Sequence, residues 1–165
     1  MEVAGMEQKG MENKMKTGFI IEGTIKLRNE RADGSIVETV QKNLVVRWGL
    51  EQVASLLAGN SMPAGMITHL ALGDNNTPPI DGDTHLGNEL TRAAATITQL
   101  SGAESNKIEY RVVYATGAVA GTFKEAGLFD ADTIGNMFNR SVFADFPVSV
   151  ADTLTIIWIV EVKNV

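Results

Sequence analysis

The chain contains no cysteine in its 165 residues. This absence excludes disulfide frameworks, thiolate zinc sites and cysteine nucleophiles together. Basic residues are also few, with 14 lysines and arginines against 20 acidic residues and a formal net charge of −6. Because a protein that wraps nucleic acid needs a basic footprint, the composition argues against nucleic acid as a partner.

Long apolar runs are absent as well. No stretch reaches the roughly 18–20 apolar residues of a membrane-spanning helix. The N-terminal sequence MEVAGMEQKGMENKMKTG lacks the apolar core of a secretory signal peptide. We therefore expect no membrane partner and no secretory leader.

The length fits one domain with a continuous hydrophobic core. Residues 1–17 differ from the rest, because they contain four methionines, balanced charges and almost no branched apolar residue. Such a segment cannot bury enough apolar surface to order itself. We predict a flexible arm over 1–17 and a single domain over 18–165. The arm is either a frayed terminus or a segment that becomes ordered on a neighbouring subunit.

Alternating hydrophobicity dominates the sequence after residue 17. Residues 19–28 alternate apolar and polar side chains, and Asp33-Gly34 forms the tip of a polar turn before the strand SIVETV, which together predict a β-hairpin. The last strand, DTLTIIWIVEVK, places one apolar face between Leu154 and Val162. Ile157 and Ile159 interrupt its opposite, polar face, so we expect the middle of that face to be covered.

One helix is predicted at about 49–58. Leu50, Val53, Ala54 and Leu57 recur at helical spacing, and Gly59 is placed to end the helix. Seven or eight strands with turns at short intervals surround it, without βαβ alternation or solenoid-length repeats. The fold class predicted is all-β, mainly an antiparallel β-sandwich of jelly-roll-like type.

The stretch LALGDNNTPPIDGDTHLGNEL, residues 70–90, concentrates polar chemistry in one loop. As an EF-hand-type calcium loop beginning at Asp74, it has suitable oxygen ligands only at its first and third positions. The later ligand positions are occupied by Pro78, Pro79, Gly82 and His85. A looser cation site at Asp74, Asp81 and Asp83 is the less favoured interpretation.

Other catalytic and metal-binding patterns are equally weak. The two histidines, His69 and His85, have no cysteine partners and no HExxH spacing. No GxSxG elbow or phosphate-binding glycine loop occurs. The carboxylate pairs Asp81/Asp83 and Asp130/Asp132 lie in turns, where aspartate is favoured because it caps backbone amides. We predict a non-enzymatic protein with no catalytic residue, cofactor or metal.

A stiff, turn-rich loop without a catalytic or metal-binding pattern is typical of a protein–protein contact. The paired prolines make an extended spacer, and stiffness lowers the cost of ordering the loop at an interface. We predict two groups of contact residues, one in this loop and one on the last strand. They are Asp74, Asn75, Asn76, Thr77, Pro78, Pro79, Asp81 and Asp83, together with Ile157 and Ile159.

The sequence ITHLALGDNNTPPIDGDTHLGNELTR resembles a pattern in tailed-bacteriophage virion proteins, including tail-collar and fibre types. The pattern is a strand I-T-x-x-A-L-G, a Thr/Pro-containing loop, then D-T-x-L-x-N-E and an arginine. Residues 42–59 and 124–162 look similar to the same group. The matching positions are Ile67, Thr68, Ala71, Leu72, Gly73, Asp83, Thr84, Leu86, Asn88, Glu89 and Arg92.

The resemblance implies a virion structural component without enzymatic activity, assembled in the host cytoplasm. The leading hypothesis is a capsid decoration or cement protein, a dimer or trimer, that binds the major capsid protein. The runner-up is a tail-associated fibre, collar or baseplate adaptor. From other classes, a carbohydrate-binding module would use Trp48, Trp158, Tyr110 or Tyr114, and a hydrolase would use dispersed carboxylates.

Overall fold

The computed structural model describes residues 18–60 and 67–164, and the predicted arm over 1–17 lies outside them. The described chain forms two five-stranded sheets, one α-helix and one short 3₁₀ turn. The elements are β1 Phe19–Glu30, β2 Ile36–Lys42, β3 Leu44–Val45, α1 Arg47–Leu57, β4 His69–Gly73, β5 Glu89–Ala94, β6 Thr96–Gln99, the 3₁₀ turn Gly102–Glu104, β7 Lys107–Tyr114, β8 Gly121–Phe129, β9 Met137–Val148 and β10 Thr153–Asn164.

The two sheets pack as a sandwich in which every described strand pair is antiparallel. Sheet A has the order β2-β1-β10-β7-β6, and sheet B has the order β3-β9-β8-β4-β5. The predicted fold class, an all-β antiparallel sandwich with one helix, is confirmed. No helix among residues 18–60 and 67–164 is long and apolar enough to cross a membrane.

The long strands β1 and β10 form the centre of sheet A. They pair over their whole length, from Phe19 opposite Asn164 to Glu30 opposite Thr153. Their alternation places Ile25 and Trp158 in the core with no exposed surface. The predicted hairpin between β1 and β2 is present, and the Asp33 carboxylate accepts a 2.8 Å hydrogen bond from the Ser35 amide in its turn. The period-2 pattern therefore identified the inner face correctly.

Two segments that the sequence predicts as single strands, ELTRAAATITQL after the loop and the brief KEAGLFD, are arranged differently in the structure. The segment ELTRAAATITQL is two strands, because β5 belongs to sheet B and β6 to sheet A, with Ala95 between them. The Ala95 amide donates to the Thr68 carbonyl at 2.8 Å at this crossing. Residues 124–129 of the brief segment KEAGLFD belong to the longer, nine-residue β8, which lies between β9 and β4. The described chain consequently has ten strands instead of seven or eight.

The helix is present at Arg47–Leu57, close to the predicted 49–58, but its buried residues are Gly49 and Gln52. The predicted apolar stripe is not the buried face, since Leu50 is 48% and Leu57 70% exposed. Gly49 is buried because the helix crosses β9 so closely that a Cβ there would lie 2.4 Å from the Phe138 carbonyl oxygen. The helix thus approaches sheet B through a glycine. Of its apolar stripe, Val53 packs against the main core, while Leu50, Ala54 and Leu57 are exposed.

The outer face of sheet B carries a second small core. Leu86, from the β4–β5 loop, packs there and is only 3% exposed. Gly127 of β8 allows this approach, since a Cβ at that position would lie 3.1 Å from Leu86. The loop over residues 74–88 therefore covers the outer face of sheet B. The cluster comprises Val46, Ala71, Leu86, Phe129 and Met137.

Candidate interaction surfaces

A buried glutamate holds the 74–88 loop in place. Glu125 points from β8 toward the loop and has no exposed surface. Its carboxylate accepts hydrogen bonds from the backbone amides of Asn88 at 2.8 Å, Gly87 at 3.0 Å and Asn75 at 3.3 Å. Three amides from both ends of the loop thus converge on one carboxylate, which fixes where the loop leaves and rejoins sheet B.

Arg140 compensates the buried charge of Glu125. It lies opposite Gly127 in the β8–β9 pair and is 3% exposed. Its Nε donates to Glu125 at 2.9 Å, and its Nη1 donates to Asp83 in the loop at 2.8 Å. Burial by itself would lower the pKa of Arg140, but the hydrogen bonds to Asp83 and Glu125 raise that pKa above its ordinary value. Arg140 is therefore a permanent cation that joins the sheet to the loop.

The remaining polar side chains of the loop make turn contacts. Asp83 also accepts from the Ile80 amide at 3.0 Å, and Asn75 accepts from the Thr77 amide at 2.8 Å. Asp74 accepts from the side-chain amide of Asn88 at 2.7 Å. Asp81 pairs with Arg47 at the start of α1. The carboxylates of the loop therefore act as caps and ion-pair partners.

The three aspartates considered for a cation site have three different partners, Asn88, Arg47 and Arg140. Across residues 18–60 and 67–164, no three histidine, aspartate or glutamate side chains are grouped as a metal site would require. His85 contacts the Leu86 carbonyl oxygen at 2.7 Å through Nδ1, and His69 contacts the Thr68 hydroxyl at 2.8 Å. Each imidazole thus has a local contact with its chain neighbour.

The loop turns only some of the predicted contact residues outward. Asn75, Pro79 and Asp83 are half-buried, because they face the sheet and the turns of the loop. Ile80 is 63% exposed, although the sequence analysis did not single it out. The exposed part of the loop includes Asp74, Asn76, Thr77, Pro78, Ile80 and Asp81, and it continues through Thr84 and His85.

Ile157 and Ile159 lie elsewhere, on the outer face of sheet A. Both are half-buried on the central strand β10. Lys26 and Arg111 flank Ile157 on the neighbouring strands, and Thr24 and Glu109 flank Ile159. Long basic side chains cover apolar neighbours with their aliphatic stems, so this degree of burial does not require a second subunit. The predicted contact residues therefore form two separate surfaces.

The aromatic residues considered for sugar binding are mostly internal. Trp158, Tyr110 and Tyr114 are buried, with exposures of 0%, 7% and 8%. Desolvation by burial raises the pKa of Tyr110 above its ordinary value. Trp48 is half-buried and packs against the main core. Because stacking on a sugar requires an exposed aromatic face, these four side chains offer no such platform.

A third surface, which sequence reasoning missed, is an apolar groove beside the helix. Its main cavity has a volume of about 830 Å³ and lies between α1, the start of β1, the end of β10 and the strands β6 and β7. Phe19, Leu56 and Leu57 at its edge are 47%, 49% and 70% exposed. We call it the α1 groove, and its lining residues are Phe19, Ile21, Gln52, Val53, Leu56, Leu57, Ile67, Ile97, Gln99, Ile108, Tyr110, Phe138, Val160 and Val162.

The sequence contained a signal for this groove. The helix RWGLEQVASLL has apolar residues on more than one face, and a single contact with a sheet cannot bury all of them.

Comparisons of the chain with protein-family models, curated protein sequences and solved structures found no match.

Proposed function

We propose that this chain is a non-enzymatic structural protein of a tailed-bacteriophage virion. Within that class we assign it as a capsid decoration or cement protein that binds the major capsid protein and forms a homo-oligomer. The proposal begins with the resemblance of residues 67–92, 42–59 and 124–162 to virion proteins. It is supported by the way these three separate blocks meet in space.

Residues of the three blocks are joined by hydrogen bonds. The Asn88 amide of the first block is bound by Glu125 of the third. Arg92 donates to the carbonyl oxygens of Ala131 at 2.8 Å and Ile134 at 2.9 Å. Arg47 of the block at 42–59 donates its amide to the Asp81 carbonyl at 2.8 Å. The three blocks that resemble virion proteins thus form one structural unit. This supports treating them as parts of a single sequence pattern.

The observation that carries the proposal is the fixed loop with an exposed outer side. Glu125 and Arg140 hold its base, while Pro78, Ile80 and Asn76 face outward and make no described side-chain hydrogen bond or ion pair. A preorganised protrusion loses little conformational entropy when it binds, which suits a protein that clamps neighbouring capsomers. An exposed isoleucine beside two prolines provides an apolar centre with a polar rim.

The copy number of the chain in purified phage particles tests this proposal. Quantitative mass spectrometry, referenced to the major capsid protein, should find hundreds of copies for a decoration protein. A few to dozens of copies would instead favour the second candidate, a tail-associated fibre, collar or baseplate adaptor. Absence of the chain from purified particles would contradict both assignments.

The tail-associated candidate uses the same surfaces at a different place in the particle. The resemblance favours it, because the pattern at 67–92 is shared with tail-collar and fibre proteins. A carbohydrate-binding module is less favoured, since Trp158, Tyr110 and Tyr114 are in the core. A hydrolase is less favoured because Asp74, Asp81 and Asp83 are engaged in loop contacts.

A further inference from the structure

In the described part of the chain, Val53 of the helix stripe packs against the main core, while Leu50, Ala54 and Leu57 are exposed beside the α1 groove. Beside the main cavity, a second cavity of about 370 Å³ separates the stripe residues Leu50, Val53, Ala54 and Leu57 from the first residues of β1. Four residues, Phe19, Ile21, Val53 and Leu57, line both cavities. An amphipathic helix is stabilised mainly by packing its apolar face, so an additional apolar segment is expected to lie over this stripe.

The α1 groove contains a buried hydrogen-bond acceptor. Gln52 lines the groove and is 7% exposed. Its Oε1 is buried and has no hydrogen-bond partner among the described residues. Because buried acceptors in folded proteins are nearly always paired, a donor such as a backbone N–H is expected there. A peptide segment provides both apolar side chains and such donors.

We propose that residues 1–17 of the same chain occupy the α1 groove. The chain enters the described structure next to Phe19, whose side chain lines both cavities. The N-terminal segment is therefore tethered at the groove itself. Tethering raises its effective concentration there to about the millimolar range, which favours it over a free competitor.

The composition of the segment fits an irregular apolar groove. Methionines recur at positions 1, 6, 11 and 15, at intervals of five or four residues. Methionine is flexible and polarisable, so it fills irregular apolar spaces well. The intervening residues are mostly charged, polar or small, which leaves polar side chains to face water. The segment has too few branched apolar residues to fold alone but enough methionines to complete an existing apolar surface.

The reach of the segment is sufficient. Met11 and Phe19 are eight steps apart along the chain, which span at most about 29 Å when fully extended. The α1 groove begins at Phe19, so Met11 and Met15 can lie over the helix stripe in the same molecule. This inference concerns the isolated chain and stands independently of the proposed virion role.

The absence of cysteine makes disulfide crosslinking a direct test. Met11→Cys is combined with Leu57→Cys in the groove, or with Lys163→Cys as a control on the outer face of sheet A. Position 163 is opposite Ile20, so it is also close to the tether. Under mild oxidation of the dilute full chain, we expect the disulfide between positions 11 and 57 to form within one chain at least tenfold faster than the disulfide between positions 11 and 163.

Equal crosslinking rates for the two pairs would overturn the proposal, because they would show a segment without preference for the groove. Crosslinks that form only between chains would identify a second copy as the occupant and would equally overturn it. Thermal unfolding of each reduced variant, matched to the parent chain, confirms that the comparison is made on folded protein.

A dye experiment provides an independent measurement. Serine replaces Met6, Met11 and Met15 in one variant and the neutral polar residues Gln8, Asn13 and Thr17 in a matched control. We expect the fluorescence of anilinonaphthalene sulfonate to rise severalfold in the first variant, because the groove is uncovered, and to remain at the parent level in the control. No rise in the first variant would overturn the proposal.

Discussion

The carboxylate of Glu125 and the guanidinium of Arg140 form an ion pair inside sheet B, with Nε 2.9 Å from Oε2. Glu125 is fully buried and Arg140 is 3% exposed. A buried ion pair stabilises a fold only when its remaining donors and acceptors are also paired, because desolvation of both charges is costly. Here Glu125 also accepts backbone amides of the loop, and Arg140 also binds Asp83. The buried Arg140 Nη2 lies 2.8 Å from Glu125 Oε2 as an ion-pair contact without a hydrogen bond. The pair therefore positions the loop as well as the two strands.

Replacing Glu125 with glutamine should strongly destabilise the protein. The substitution keeps the shape but leaves Arg140 buried with only Asp83 as a counter-charge. Removing one partner of a buried pair costs about 3–5 kcal/mol. The free energy of unfolding from urea titration at neutral pH measures this loss.

The matched control is Glu38→Gln, which removes one partner of the Lys26–Glu38 pair, in which both side chains are 40% exposed. Exposed pairs contribute about 0–1 kcal/mol, so this variant should unfold almost like the parent. Equal losses in the two variants would contradict the role assigned to burial.

Gly73→Ala should destabilise the junction between β4 and the loop. A Cβ at position 73 would lie 2.4 Å from the Asn88 carbonyl oxygen and 2.6 Å from Glu125 Oε1. Because the backbone and a buried carboxylate must shift to relieve this overlap, we expect a loss of about 1–3 kcal/mol in the free energy of unfolding. Faster cleavage of the loop by a protease should accompany that loss.

Gly82→Ala is the matched control within the same loop. A Cβ at Gly82 meets no atom within 4 Å. This variant should match the stability and protease resistance of the parent. If Gly82→Ala were destabilised while Gly73→Ala stayed stable, the close approach at Gly73 would not be what fixes the junction between β4 and the loop.

The stability of the protein should fall in acid partly because of Asp152. Its carboxylate accepts from the Ser149 amide at 2.9 Å and from the Asn29 side chain at 2.8 Å. These hydrogen bonds lower the pKa of Asp152 below its ordinary value of 3.8, and the bond from the Ser149 amide has the largest effect. A depressed folded-state pKa contributes stability that is present above the unfolded-state pKa and is lost as pH falls through the folded-state pKa.

Asp152→Asn should therefore lower Tm at neutral pH and flatten the fall of Tm as the pH drops below the ordinary pKa of an aspartate. Some slope should remain, because the pKa values of Asp33 and Glu22 are also lowered, by hydrogen bonds from Ser35 and Lys163 respectively. Asp145→Asn, on the exposed side of β9, is the control that should keep the parent profile. An unchanged acid slope in Asp152→Asn would remove this carboxylate from the acid response.

Ile80→Asp should weaken attachment to the phage particle. Ile80 is 63% exposed on the outer side of the loop and takes no part in the core. A charge placed at the apolar centre of an interface must be desolvated without a partner, so occupancy on particles should fall at least tenfold. Quantitative mass spectrometry of particles assembled with the variant gives the occupancy.

Val150→Asp makes the same chemical change at a residue that is 64% exposed in the turn between β9 and β10. This variant should occupy particles as the parent does. Equal losses for the two variants would show that a surface other than the loop carries the attachment.

Local patterns predicted much of the fold. Alternation along β1 and β10 identified which side chains enter the core, because successive residues of a strand point to opposite faces. The Asp33-Gly34 turn and the presence of the helix followed from local backbone preferences in the same way. The turn chemistry of the 74–88 loop was also predicted, and Asn75 does cap the Thr77 amide.

Tertiary contacts decided what these patterns left open. Glu125 lies in KEAGLFD, which the sequence predicts only as a brief strand, yet it is buried because Arg140 and Asp83, distant in sequence, converge on its site. The side of the helix that is buried was likewise set by the close approach of Gly49 to β9. The sequence by itself determined most of the strands, the hairpin turn and the presence of the helix, since those depend on neighbouring residues. The structure decided which charge is buried and which apolar face is left open, because both depend on residues brought together only by folding.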